Sequence, residues 1–266
     1  MTGAREAARA AESQPVMRVL ARSGYAANGI VHALVGSIVI AISLGAEGEG
    51  DQAGAFKAIG AVPAGFVALW ALSIALAALG VWHVLAAVVT RDPDLRRRWG
   101  VRISEGSQAL VFLALAVIAG AVALGAKPDA DAAARAASRG VLSVPGGPFV
   151  LGAAGLGIGI AGVVFVVMGV RRSYRSKVSV PPGALGAGID LLGIVGFVAK
   201  GAALVAVGIL VLVAAVKVDP EESGGLDGGI SALLALPLGP LLVGAIGVGF
   251  IAYGVFCGFR ARYARL

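Results

Sequence analysis

Cysteine is almost missing from this chain. Cys257 is the single one in 266 residues, which excludes an intrachain disulfide. Histidine is nearly as scarce, with only His32 and His83, and neither belongs to a Cys-x-x-Cys-His pattern or has a third ligand type beside it. Charge is thin too, at 14% of residues, and aromatic residues make up 6%. The paired carboxylates Glu47-x-Glu49 and Glu221-Glu222 have no histidine, nucleophile or metal-ligand companion, so they read as solvated loop rather than as an acid–base or metal site. No catalytic set emerges, and the chain is expected to be neither an enzyme nor the carrier of a cofactor or metal.

Apolar sequence fills the space that charge leaves. Hydrophobic residues reach 58% and the mean hydropathy is +0.91, more apolar surface than a soluble core of ordinary composition hides. It falls into long runs: Gly24 to Gly45, Val62 to Val89, Leu110 to Leu124, Val150 to Val170, Gly201 to Val216 and Leu238 to Phe259. A spanning helix needs about 20 such residues, and the two shorter runs extend upstream through Ile103 to Ala109 and Ile189 to Lys200. The fold class that follows is all-α, a polytopic membrane protein with six transmembrane helices. The first run is too long for a signal sequence and is expected to be retained.

A repeat organises these runs. Pro63-Ala64-Gly65 is followed by Gly80, Pro145-Gly146-Gly147 by Gly162, and Pro237-Leu238-Gly239 by Gly254, each glycine fifteen residues after the glycine of its own Pro-x-Gly. One helical hairpin is therefore used three times in tandem. The boundaries read as a tail at 1–14 and repeats at 15–95, 96–180 and 181–266. Short surface helices are expected before each returning span, around Ala53 to Gly60, Asp131 to Arg139 and Gly229 to Ala235.

Glycine is abundant at 41 residues, and much of it lies inside the apolar runs. In lipid the alternative to helix is an unsatisfied backbone, so helices survive it, and small residues let helices approach closely. Gly155-x-x-x-Gly159 and Gly254-x-x-x-Gly258 have the spacing for such contacts, and Gly80 and Gly162 join them as candidate packing positions. Gly157-Ile158-Gly159-Ile160-Ala161-Gly162 fits the dinucleotide fingerprint in letters alone, with no preceding strand and no ribose-binding acid.

Basic residues concentrate in alternate connections. One side holds Arg5, Arg9, Arg18 and Arg22, then Arg91, Arg96, Arg97, Arg98 and Arg102, then Arg171, Arg172, Arg175 and Lys177, then Arg260, Arg262 and Arg265. The other side has few basic residues and most of the acids. Positive loops stay cytoplasmic, which places both termini inside a bacterial plasma membrane. The net charge of +7 is then explained by anionic lipid headgroups at the cytoplasmic loops, with no nucleic acid required. A homo-oligomer or a membrane partner is compatible with the glycine-rich faces.

The first helix of each unit repeats more loosely. Gly24 to Gly36 aligns with Gly196 to Gly208, and the middle copy retains Glu105-Gly106. This resembles a bacterial membrane family, the domain of unknown function 1206 family, whose members carry three two-helix units. Its first-helix pattern is matched at Gly24, Tyr25, Gly29, His32 and Gly36, with Asn28 where a basic residue is usual. The resemblance covers about residues 15–266 and implies the architecture without implying an activity.

The alignment singles out Asn28, Glu105 and Lys200, each one residue before a glycine near the inner end of its helix. Together with His32 and Gln108 they form the candidate intramembrane polar cluster, in which Glu105 and Lys200 are placed to pair. Three readings stand: snorkelling to the interface, an interior structural cluster, or a polar path for transport. His32 and His83 fall at similar depths, which would permit shared haem or metal ligation, although hydrogen-bonded packing is the simpler reading. Asp190 reads as a solvated helix-end residue. The function expected is a non-enzymatic structural or partner-binding membrane component, with a small transporter or channel built from parallel repeats as the alternative.

Overall fold

The computed structural model describes residues 15–90 and 93–265. The tail at 1–14, with Arg5 and Arg9, and also Arg91, lie outside the described residues. Nine α-helices of regular length appear among the described residues, and no strand. In chain order they are α1 (Pro15–Ser43), α2 (Gln52–Gly60), α3 (Gly65–Val89), α4 (Leu95–Ala123), α5 (Ala130–Leu142), α6 (Gly147–Val170), α7 (Ala184–Lys217), α8 (Leu226–Leu234) and α9 (Gly239–Tyr263). Six of them, α1, α3, α4, α6, α7 and α9, are long and apolar enough to cross a membrane. Helix is the solution lipid imposes, because every backbone donor and acceptor must be satisfied within the segment. The chain is an all-α polytopic membrane protein of three hairpins, each a long helix, a short helix and a long helix.

The Pro-x-Gly element is the joint between short and returning helix, and it is built the same way three times. The Gly65 N–H donates to the Val62 carbonyl at 2.9 Å, Gly147 to Val144 at 2.9 Å and Gly239 to Leu236 at 2.8 Å. The middle residue is left-handed in every copy, with φ of 64° at Ala64, 79° at Gly146 and 64° at Leu238. Proline followed by a left-handed residue is the type II turn. The glycine after it is fixed by sterics: a Cβ on Gly65, Gly147 or Gly239 would overlap the carbonyl oxygen of Ile59, Val141 or Leu234 at the end of the preceding short helix. Asp94 and Asp129 cap α4 and α5, accepting the N–H of Arg96 at 2.9 Å and of Ala132 at 2.8 Å.

Helix contacts divide the described residues into two units. One holds 15–28, 56–127 and 257–265, the other 29–55 and 128–256. In the first unit α3 packs on α4: a Cβ on Gly80 would stand 2.7 Å from Leu113 Cγ. In the second, α6 packs on α7 and α9 on α1. A Cβ on Gly162 would be 2.7 Å from the Gly201 oxygen, and one on Gly254 would be 2.6 Å from the Gly29 oxygen. The repeated glycine thus receives the first helix of the next copy in three separate pairs. Gly155 belongs to the same α6–α7 seam, 2.8 Å from Leu212 N by the same measure. Gly159 differs: a Cβ there would meet nothing within 4 Å among the described residues, and its backbone N is instead what a Cβ on Gly208 would meet at 2.7 Å. Gly258 also has open space in the Cβ direction, so the second residue of each Gly-x-x-x-Gly pair does not receive a neighbour as the first does. Four residues of helix rotate by about 400°, roughly 40° beyond a full turn, and a contact that crosses at an angle departs from the face within that step.

Candidate intramembrane polar sites

The first unit holds a buried acid–base pair. Arg98, Arg102, Glu105, Ala109 and Phe112 fall at three- and four-residue spacing along α4, which puts them on one face. Glu105 and Phe112 of that face take His83 of α3. The His83 Nδ1–H donates to Glu105 Oε2 at 2.6 Å, with side-chain exposures of 2% and 9%. The imidazole stacks on Phe112 at 5.4 Å between centroids and 16° between planes, and Tyr25 presents its edge at 6.3 Å. Arg260 lies over the Tyr25 ring at 4.2 Å and donates to its hydroxyl at 3.1 Å. His83 Nε2 is buried with no hydrogen-bond partner among the described residues. A buried N–H without a partner costs about 1–3 kcal/mol, so the favoured neutral tautomer carries its proton on Nδ1 and leaves a lone pair on Nε2. In the same unit Asn28 Nδ2 donates to Cys257 Sγ at 3.4 Å.

The second unit holds a lysine in an aromatic cradle. Lys200 Nζ donates to His32 Nε2 at 3.3 Å and stands over the rings of Tyr253 at 4.6 Å and Phe165 at 5.3 Å. Accepting that bond requires His32 neutral with its proton on Nδ1. Tyr253 lies 4.7 Å and Phe250 6.1 Å from the imidazole. Cation–π contact replaces part of the hydration that an ammonium loses at this depth.

One rule relates the positions. The residue before the first-helix glycine meets the residue three after the returning-helix glycine: Glu105 with His83, Lys200 with Phe165, and Asn28 with Cys257. The chemistry differs in every copy, acid–base, cation–aromatic and amide–thiol, while the register is the same. Within the second unit His32 and Lys200 come together, and within the first Glu105 meets His83. Gln108 turns back along its own helix to donate to the Ser104 carbonyl at 3.1 Å. Among the described residues no group of three or more His, Cys, Asp or Glu side chains is arranged to hold a metal ion.

A further constellation was not legible as such. Asp190, read as solvated, is 3% exposed. Arg175 grips its carboxylate through Nε at 2.9 Å and also through Nη2, and Arg172 approaches at 3.7 Å. Tyr174 donates to the Asp190 carbonyl at 2.9 Å and stacks on Phe197 at 5.4 Å with the rings 2° from parallel. Gly193 makes room for it, since a Cβ there would stand 2.6 Å from the phenol ring. Burial, and secondarily the Asp190 charge, push the Tyr174 hydroxyl up to about 12. The reason for the misreading is length. At 34 residues, α7 is about 51 Å long, well beyond the roughly 30 Å of hydrocarbon, so its first turns project past the apolar layer and other chain covers them. The carboxylates of the acidic connections are likewise engaged: Glu221 pairs with Arg139 and Glu222 with Lys217, both at 2.6 Å. Asp227 accepts the Gly50 N–H at 2.6 Å and Asp131 the Gly225 N–H at 2.7 Å.

The sequence pattern of one protein family, Domain of Unknown Function (DUF1206), matches residues 23–90, 106–172 and 195–264. Each match takes in one pair of long helices. A protein of Bacillus subtilis (strain 168), Uncharacterized protein YxxB, is similar at 26% identity over 262 residues, spanning 96% of this chain and 94% of the relative. No solved structure matches.

Proposed function

This chain belongs to the Domain of Unknown Function 1206 family, and from that premise we propose that it is a non-enzymatic component of a bacterial plasma membrane, structural or partner-binding, with both termini cytoplasmic. One observation carries the reading: at the three equivalent intramembrane positions the polar group is engaged by the returning helix of the preceding copy, counted cyclically, and each engagement uses different chemistry. Proton relays in membranes run through chains of Asp, Glu and His, whereas the three equivalent positions here hold an amide, an acid and a lysine. An interlocking element needs only that each buried polar group be satisfied where the helices meet. Orientation rests on Arg96, Arg97, Arg98, Arg171, Arg172 and Arg175 at one set of helix ends.

The test is a replacement cycle at His83 and Glu105 in protein purified in detergent. Removing one partner strands a buried group, and His83→Leu or Glu105→Met alone is expected to cost about 3–5 kcal/mol, whereas the double replacement restores most of that loss. A double variant as unstable as the sum of the singles would contradict an interlocking role. The transporter reading has its own support in buried histidines paired with ionisable partners in two copies, and ion flux distinguishes it.

A further inference from the structure

Beside the first turns of α7 the second unit contains a cavity of about 480 Å3 whose polar wall is Arg172, Arg175 and Asp190 and whose apolar wall is Leu191 and Ile194. Two guanidiniums face one carboxylate, so the wall carries a net positive charge. Asp190 is the buried member, with 5% of its side chain exposed, while Arg172 and Arg175 keep 49% and 51%. The acid thus works from behind, fixing two arginines whose outer parts stay open. Each guanidinium has five N–H donors in a rigid fork, more than Asp190 accepts, and the fork geometry suits phosphate oxygens. Tyr174 braces the acid from the other side through its bond to the Asp190 carbonyl, so the arginines are held in place before any ligand arrives. Gly183 and Gly186 at the start of α7 also line the space, and no side chain caps that helix end.

The apolar wall identifies the kind of anion. Leu191 is 62% exposed on the helix that leads into the membrane, so that side of the cavity lies where the headgroup layer gives way to acyl chains. A ligand that satisfies both walls has an anionic head and a hydrocarbon tail. We propose that this cavity binds the phosphodiester headgroup of an anionic phospholipid, with Arg172 and Arg175 on the phosphate and Leu191 and Ile194 against the proximal acyl chain. The site is independent of whether the protein interlocks or transports.

The experiment is native mass spectrometry of the full chain in a neutral detergent, titrated with phosphatidylglycerol and, separately, phosphatidylcholine. Wild type is expected to retain phosphatidylglycerol preferentially. Arg172→Gln is expected to lose about fivefold in that affinity, as one interfacial cation is worth about 1 kcal/mol, narrowing the preference over phosphatidylcholine with the melting temperature unchanged. Arg172 is the residue to change because its contact with Asp190 is the looser one, and Arg172→Lys, which keeps the charge, is expected to retain most of the binding. Equal retention of the two lipids by wild type, or unchanged phosphatidylglycerol binding by Arg172→Gln, would overturn the proposal. Displacement of the lipid by excess inorganic phosphate as effective as displacement by the lipid itself would assign the site to free phosphate instead, and overturn the lipid assignment.

Discussion

Tyr174 and Asp227 show how single side chains outside the spanning segments set the response to pH. Tyr174 is held protonated by burial and by the neighbouring Asp190 carboxylate, up to about 12. The folded state therefore binds that proton more tightly than the unfolded chain. Its stabilisation is complete below the ordinary tyrosine value of about 10 and is lost as pH rises from there through about 12. A spectrophotometric titration at the tyrosinate band is expected to show a component near 12 that Tyr174→Phe removes. Asp227 is also shifted upward, by desolvation first, with the Gly50 N–H working against the shift. A raised carboxylate favours the fold below the unfolded value and loses that contribution as pH rises through the folded one. Asp227→Asn keeps an acceptor for Gly50 and removes the charge, so melting curves collected from mildly acidic to neutral pH are expected to flatten, with the variant no less stable than wild type at neutral pH. Steeper pH dependence in the variant would contradict this sign.

The joint between short and returning helix belongs to the scale of elements. Two of its three copies place a non-glycine residue at positive φ, Ala64 and Leu238, where a side chain costs roughly 1–2 kcal/mol. The middle copy has Gly146 there. Leu238→Gly is expected to raise stability by up to about 1 kcal/mol, the gain in the turn less the added freedom of the unfolded chain. Gly147→Ala acts in the opposite direction because its Cβ overlaps the Val141 carbonyl, and it is expected to lower the melting temperature well beyond what the same change at Gly157 does, where a Cβ has open space. Thermal unfolding in one detergent ranks the three variants. These elements were also the most legible in the sequence. Proline, glycine and the fifteen-residue interval are local signals, and they located the turns and the glycines at 80, 162 and 254 that receive a neighbouring helix. Partner choice was not local. Nothing within a few residues of Glu105 names His83 as a partner, since that contact is distant in the chain and is decided by helix rotation. The amphipathic signal that reports rotation in soluble proteins is erased where lipid-facing and protein-facing residues are both apolar. Asp190 failed for a related reason, because burial by a separate segment cannot be read from a polar residue's own neighbours.

The whole molecule repeats a register while varying the chemistry placed on it. Asn28, Glu105 and Lys200 occupy one position in three copies, and Cys257, His83 and Phe165 occupy another. Duplication explains the register, and divergence at each buried contact gives each pair its own partner, so that a helix docked at the wrong place would strand a polar group. Orientation is testable with unusual simplicity because Cys257 is the only cysteine and is buried. Ser176→Cys, among the arginines after α6, is expected to resist a membrane-impermeant maleimide in intact cells, and Ser143→Cys, at the end of α5, to react with it; the reverse pattern would invert the topology. The measurement that bears most directly on the account is proton flux into liposomes containing the purified protein, followed by a trapped pH-sensitive dye under an imposed potential. If Glu105, His83, Lys200 and His32 serve to hold helices together, vesicles with and without the protein acidify at the same rate. A protein-dependent flux that Glu105→Gln or Lys200→Met abolishes would show that these groups carry protons, and the interlocking account would be wrong.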